Sequence, residues 1–331
     1  MARSHLTLAA LSTAAVAGLD VVSATHIRSS SGDFESALLT VRDGSHLMVR
    51  VPLNDRAELE QSADLVALRA LSTGVRARLP FAVSNFVGHT PVRETRAVVY
   101  EFVYGSALAL DAIGTDGLLA GSIGRAVAAI HTLPTSFVVD AGLHSFSPPE
   151  LLSSVIAVMD RASATGLVPA PLLTRWERAT EDSALWQFAP TVVNGALSAG
   201  SMLIADDAVS AVLGWHSLSV GDPARDLYWL LGAPNSDVAD LAFDAYNLAR
   251  GSSDRQIKQR AMLYAELEIA KWLLHGATER STEIVDDAVA MLQSLADSVA
   301  NDLGQNLSHN TMPVLAVAEV EAMLDKDRRD N

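Results

Sequence analysis

The stretch TVVNGALSAGSMLI, residues 191–204, decides the fold of this chain. The apolar residues at its two ends predict short strands, and the glycine-containing loop between them has the length of a catalytic loop. The loop side chains are only Asn, Ala, Leu and Ser. The stretch therefore predicts a loop with the backbone of an active site but without reactive side chains.

Composition limits the classes of protein that this chain can belong to. Its 331 residues suffice for one large or two modest domains, and with 49% hydrophobic and 19% charged residues it should fold into a globule. The formal net charge of −15 opposes binding to a phosphate backbone, so we expect no nucleic-acid partner. The absence of cysteine excludes disulfides, thiolate metal sites and cysteine nucleophiles.

The first 18 residues permit two interpretations. An arginine followed by an apolar run and small residues is typical of a secretory signal cut after Ala17. The alternative, which we favour because Ser12 and Thr13 interrupt the apolar run, is a helix that ends at Gly18. A strand would then follow from about Leu19 to Ile27. No other run is long and apolar enough to span a membrane, which needs about 18 residues, so we expect no membrane partner.

The order of elements predicts an α+β fold with two lobes. Alternating segments around Asp43 and Gly44 predict a hairpin over 35–53, and helical spacing over 57–73 puts Leu59 and Val66 on a common apolar side with Leu71.

Two more strand candidates follow at 81–90 and 96–105, and helical patterns dominate beyond Gly105. We predict a small β-rich lobe over 1–103, a larger and mostly helical lobe over 104–307, and a linker with a C-terminal helix over 308–331.

Four segments in the same order carry a family resemblance: LMVRVPL (47–53), VVYEFV (98–103), the quoted loop, and GDPARDL (221–227). With Trp215 between the last two, the chain resembles the aminoglycoside and macrolide phosphotransferase family, a branch of the protein-kinase-like fold. The resemblance covers roughly residues 20–300. It implies a cleft between two lobes that binds ATP, and transfer of phosphate to a hydroxyl of a small molecule.

The same resemblance shows what the site lacks. It places Asn194 where the family has the loop His, and Ala196 where it has the catalytic base Asp. It places Ser201 and Gly214 where the family has its metal-binding Asn and Asp. Phosphoryl transfer depends on positioning and on charge neutralisation, and magnesium prefers oxygen ligands that include a carboxylate. We therefore assign no metal ligand and no catalytic residue at these four positions.

Three residues near these positions are candidate substitutes, each with a structural alternative. Asp206, beside Asp207, is either a relocated metal ligand or a turn residue that faces water. Asp222 in GDPARDL is either a substitute or a residue that caps the following segment. His216 either approaches a ligand from the side opposite Trp215 or is an ordinary hydrogen-bonded histidine.

The positions that the resemblance assigns to nucleotide binding match the family better than the positions that it assigns to catalysis and to metal binding. Arg50 lies where the family has a phosphate-binding cation, unless it is a surface residue, and Asp64 lies where the family has that cation's acidic partner, unless it is an exposed helix residue. Segment 29–33, SSSGD, matches a loop that covers phosphates. Glu101 and Val103 belong to the hinge whose backbone could bind adenine.

The sequence thus favours a catalytically inactive protein of this fold, a pseudokinase with a binding or regulatory role. The alternative is an active ATP-dependent phosphotransferase that acts on a small molecule. ATP is the cofactor that the resemblance implies, whereas magnesium would depend on relocated ligands such as Asp206, Asp222 or His216. The amphipathic segment 316–328 either docks on its own lobe or binds a protein partner. The resemblance and the N-terminal helix together favour the cytoplasm.

Overall fold

The structure is a computed structural model that describes residues 3–28, 32–251, 254–301 and Leu307. It has the predicted α+β organisation, with a strand-rich amino-terminal lobe and a helical carboxyl-terminal lobe. The predicted C-terminal helix and most of the segment 29–33 lie outside the described residues.

A five-stranded antiparallel sheet in the order β1-β2-β3-β5-β4 forms the amino-terminal lobe. Its elements are α1 (His5–Ala15), β1 (Val21–Arg28), β2 (Phe34–Val41), β3 (His46–Pro52), α2 (Asp55–Ala70), α3 (Thr73–Arg76), β4 (Phe86–Val92) and β5 (Thr95–Glu101).

Helix α1 covers one face of this sheet. Leu8 is fully buried in a cluster with Ala37, Leu39 and Val49, because these three residues point to the same face of β2 and β3. The backbone of α1 comes so close to β4 that a Cβ at Gly88 would lie 2.4 Å from a carbonyl oxygen. The N-terminal segment therefore folds as the predicted helix, although it ends at Ala15 and the strand begins at Val21.

Helix α2 buries a different face from the one that its apolar residues predict. Leu59 is 71% exposed and Val66 is 43% exposed, so the predicted face is wrong at these two positions. The buried face includes two polar residues that find partners, since Gln61 donates to the Arg96 carbonyl and Asp64 accepts from the backbone of Trp215. The buried residues of the helix are Ala57, Gln61, Asp64, Leu65, Ala67 and Leu68.

The carboxyl-terminal lobe contains seven helices and five short strands within the described ranges. The helices are α4 (Leu118–His131), α5 (Ser136–Asp140), α6 (Pro148–Ser163), α7 (Ala170–Glu181), α8 (Ser236–Arg250), α9 (Ile257–Glu279) and α10 (Thr282–Asn301). The strands are β6 (Ser106–Ala107), β7 (Thr191–Val193), β8 (Met202–Ala205), β9 (Ala208–Val212) and β10 (Ser219–Gly221). None of the helices in the described part of the chain is long and apolar enough to cross a membrane.

The segment between α3 and β4 joins the two lobes. The Ala82 N–H donates to the Ser210 carbonyl at 2.8 Å, and the Val212 N–H donates to the Ala82 carbonyl at 3.1 Å. The Arg76 guanidinium fixes the conformation of this segment by donating to four backbone carbonyls, those of Leu68, Leu71, Val83 and Ser84. The lobes are therefore connected through backbone pairing as well as through the hinge.

Candidate functional site

The loop between β7 and β8 is held through its backbone by a buried carboxylate. The N–H groups of Asn194 and Gly195 each donate to Asp226 at 2.7 Å. The side chain of Asn194 is fully buried and donates to the Gly214 carbonyl at 3.0 Å. Asn194 therefore ties the loop to the segment before Trp215, which is a structural task.

Asp226 is the residue that sequence reasoning missed. It is fully buried, and the His131 Nε2 atom lies 3.1 Å from its Oδ2 atom. The Nδ1 atom of the same imidazole lies 2.9 Å from the Tyr246 hydroxyl, so this polar chain joins α4 and α8 to the loop. The signal for Asp226 in the sequence was the intact GDPARDL segment. Of its two aspartates, only the first, Asp222, was predicted as a candidate site residue.

The three positions that matter for chemistry offer little. Ala196 has only a methyl group, and Gly214 has no side chain and a φ of 70°. The Ser201 hydroxyl donates to the Ser198 carbonyl at 2.8 Å and accepts from the Ser198 N–H at 2.9 Å. None of the three can accept a proton as a carboxylate does.

The loop glycine, by contrast, is a steric requirement. Gly195 has a φ of 80°, and a Cβ there would lie 2.6 Å from the Ser217 carbonyl oxygen. An L side chain would therefore be strained and would also collide with backbone. The loop thus keeps the glycine that its backbone shape requires.

Two of the three candidate substitutes are placed elsewhere. Asp222 is fully buried, and its carboxylate accepts from Arg260 Nε at 2.8 Å, from the Tyr264 hydroxyl at 3.1 Å and from the Ala224 N–H at 2.9 Å. Asp222 is thus part of the core and caps the segment that follows it, which was the structural alternative for this residue. Asp206 is exposed in the β8–β9 turn, where its φ of 51° suits a turn residue.

His216 is the substitute that lies beside a missing side chain. Its Nδ1 atom is 4.0 Å from the position that a Cβ at Gly214 would take. The same nitrogen lies 3.9 Å from Glu60 Oε1 and makes no hydrogen bond within the described part of the chain. His216 therefore borders the position of the lost carboxylate without replacing its charge.

A cavity of about 310 Å³ lies between the lobes, and the predicted cofactor-binding residues surround it. Arg50, Asp64, Glu101 and Val103 all line this cavity, together with Gly214. The rest of the lining is mostly apolar, with Ile27, Met48, Leu68, Leu203 and Leu213 among its residues. Residues far apart in the chain are thus brought to one cleft.

The predicted pair of Arg50 with Asp64 is not formed between these two described residues. Asp64 accepts a hydrogen bond from the Trp215 N–H at 2.7 Å, and the Arg50 guanidinium lies 3.8 Å from the centre of the Phe34 ring. Burial raises the pKa of Asp64, while the Trp215 N–H and the nearby Arg50 guanidinium act to lower it. Asp64 is only 8% exposed, so the alternative of an exposed helix residue is also wrong.

The hinge and the inner end of the cavity offer hydrogen-bonding groups. The Glu101 carbonyl accepts from the Ser84 hydroxyl at 2.9 Å, and the Val103 N–H makes no hydrogen bond to any described residue. The Tyr100 side chain is 5% exposed and its hydroxyl has no partner within the described ranges. Burial raises the pKa of this phenol above its ordinary range.

The residues present do not fit a magnesium ion. Gly214 offers no ligand, the Ser201 hydroxyl is used by Ser198, and the Asp64 carboxylate already accepts from a backbone N–H. In the part of the chain that the structure describes, no three His, Asp or Glu side chains form a group that could hold a metal. A hard dication needs several oxygen ligands at short distance, and this end of the cleft does not supply them.

Comparison with known proteins supports the architecture. A family model described as "Phosphotransferase enzyme family" matches residues 26–270. No curated protein matches the chain significantly by sequence.

Three solved structures illustrate the likeness in fold. The macrolide 2'-phosphotransferase MphH from Brachybacterium faecium, an apoenzyme, superposes with a TM-score of 0.73 at 21% identity, covering 87% of this chain and 98% of that one. A macrolide 2'-phosphotransferase type I gives 0.71 at 24% identity, with 88% and 98% covered. The GDP complex of aminoglycoside 2'-phosphotransferase-IIIa gives 0.74 at 14% identity, with 89% and 99% covered. The two-lobed kinase-like fold implied by the resemblance is confirmed.

Proposed function

The chain belongs to the phosphotransferase enzyme family, and we propose that it is a catalytically silent member that binds a purine nucleoside or nucleotide in its interlobe cleft. One observation carries this proposal: Ala196 and Gly214 present no carboxylate and Ser201 presents no amide, although the loop backbone is held in place by Asp226. The relatives named above are phosphotransferases, and one of them was solved with GDP.

Transfer of a phosphoryl group has three requirements at such a site. An acceptor must take the proton of the attacking alcohol, a cation must neutralise the charge of the phosphates, and both substrates must be aligned. Ala196 has no acceptor atom and Gly214 has no metal ligand. Alignment is the task that remains, and the cavity around Arg50 and Val103 supports it.

The second candidate is an active phosphotransferase that acts on a hydroxyl of a small molecule. The observation in its favour is that Asp226 still holds the loop and that His216 borders Gly214. The related structures are macrolide and aminoglycoside phosphotransferases, which makes these two classes the first acceptors to test.

The deciding experiment compares ATP and GTP turnover, with magnesium and with either class of acceptor, in the parent and in the triple variant Ala196→Asp, Ser201→Asn, Gly214→Asp. The φ of 70° at Gly214 strains most side chains, but aspartate tolerates it better than most, so we expect a cost of about 1 kcal/mol. The silent-member proposal expects no turnover by the parent and measurable turnover by the triple variant.

Ala208→Asp, which adds a carboxylate at an exposed position of the β8–β9 hairpin, is the matched control and should stay silent. Parent activity toward a macrolide or an aminoglycoside would overturn the proposal in favour of the second candidate.

A further inference from the structure

Resting on the proposed function, we infer that the cleft recognises the uncharged nucleoside part of its ligand, and that added phosphates contribute nothing to affinity. The inference has three parts, which concern the charges around the cavity, its hinge side and its inner end.

The charges around the cavity disfavour phosphates. Among its lining residues in the described ranges, Arg50 is the one cation, and the carboxyl group of Asp64 lines the same cavity. The Arg50 guanidinium stacks on the Phe34 ring, a contact that it would have to keep or give up when it binds a phosphate. A nucleoside triphosphate would bring several negative charges to a site that holds no metal ligand at Gly214. Coulomb repulsion in such a partly buried site offsets what a single arginine contributes.

The hinge side is suited to a planar heterocycle. The Val103 N–H makes no hydrogen bond within the described chain, and Val103 lines the cavity. The Glu101 carbonyl accepts one hydrogen bond, from Ser84, and an oxygen of this kind can accept a second. Met48 on β3 and Leu203 on β8 line the cavity from the two lobes, so a flat ring between them would bury apolar surface on both sides.

The inner end of the cavity, which is lined by Tyr100 and Asp64, is suited to a neutral polar group of the ligand. The Tyr100 hydroxyl is buried without a partner, and Asp64 Oδ2 accepts no hydrogen bond from any residue that the structure describes. A buried hydroxyl without a partner costs about 1–3 kcal/mol, which a ligand amine or hydroxyl can recover. Both groups line the cavity, whereas a phosphate beside the Asp64 carboxylate would be repelled.

Calorimetric titration of the full chain tests this inference with four probes: adenosine, ADP, ATP and inorganic tripolyphosphate, each with magnesium and with a chelator. We expect Kd values for adenosine, ADP and ATP that agree within about threefold under both conditions, and no binding of tripolyphosphate. Magnesium-dependent ATP binding that is more than about tenfold tighter than adenosine binding would overturn the inference. That result alone would leave the proposed silence to be judged by turnover.

Tyr100→Phe tests the inner end by removing one oxygen. We expect adenosine to bind about fivefold more weakly, because the phenol loses its ligand hydrogen bond, and the unfolding temperature of the free protein not to fall. Leu248→Ala, at a position that is 86% exposed on α8, is the control and should bind normally. Unchanged adenosine affinity in Tyr100→Phe would contradict the inference, and failure of every purine probe to bind would overturn the proposed ligand as well.

Discussion

The Asp64 carboxylate lies 2.7 Å from the backbone nitrogen of Trp215 and accepts its hydrogen bond. A side chain of the amino-terminal lobe thus holds the residue that directly follows Gly214. In the family that the chain resembles, the acidic residue at this position pairs with a cation of the same lobe. Here the shorter side chain of Asp64 bonds to Trp215 instead. This contact braces the cleft beside Gly214.

We predict that Asp64→Ala lowers the free energy of unfolding by about 2 kcal/mol, because it leaves the buried Trp215 N–H without an acceptor. Asp64→Asn retains one carbonyl oxygen at the same place and should cost less than half as much. Urea denaturation of both variants at pH 7 measures the difference. Equal losses in the two would show that the hydrogen bond to Trp215 does not stabilise the lobe contact.

The same carboxylate predicts a pH dependence. Burial raises the pKa of Asp64 above its unfolded-state value of about 3.9, so the folded protein binds this proton more tightly than the unfolded chain does. The resulting stabilisation is fully present below the pKa of Asp64 in the unfolded chain. It is lost as pH rises through the raised pKa of Asp64 in the folded protein. Asp64→Asn cannot ionise, so its stability relative to the parent should improve between pH 4 and pH 8. A flat or opposite trend in the urea midpoints would contradict the raised pKa.

Asp226→Asn should loosen the loop between β7 and β8. The carboxylate accepts two N–H groups, whereas an amide presents one oxygen and one donor, so one of the two bonds is lost. We expect a loss of about 2 kcal/mol in stability and amide exchange at Asn194 and Gly195 that is at least about tenfold faster. Hydrogen-exchange mass spectrometry measures this. Asp237→Asn, at an exposed position in the first turn of α8, is the control and should leave exchange in the loop unchanged.

The buried cluster around Arg260 predicts a large loss of stability on substitution. Its guanidinium is fully buried, donates to Asp222 and Asp254 at 2.8 Å and 2.7 Å, and stacks on Phe188 at 4.2 Å. Arg260→Met keeps similar bulk but leaves the Asp222 carboxylate without its counter-charge, which should cost about 3–5 kcal/mol.

The matched control for Arg260 is Lys258→Met on the same helix. Lys258 pairs with Asp240, and both side chains are largely exposed, so we expect a loss below about 1 kcal/mol. Thermal and urea unfolding would compare the two variants. Similar losses in both would mean that burial does not decide the strength of these ion pairs.

The sequence predicted the loop, the hinge and the two lobes, because each carries a local signal in glycine placement or in apolar alternation. It did not predict the buried face of α2. Gln61 and Asp64 can be buried there because they form hydrogen bonds with Arg96 and Trp215, which are distant in the chain. Arg50 and Asp64 were matched to the family by position, yet their contacts depend on side-chain length and on neighbouring rings. Asp226 lies in the GDPARDL segment, but its partners, His131 and the N–H groups of Asn194 and Gly195, are distant in the chain, so the motif alone did not display its role.

Helix α1 has a practical consequence for anyone who shortens this protein. Leu8 packs in one cluster with Ala37, Leu39 and Val49. A peptidase that cut after Ala17 would therefore remove the helix that covers this face of the sheet. The bared apolar face would favour association between copies. Expression vectors should accordingly keep these residues and carry any purification handle outside them.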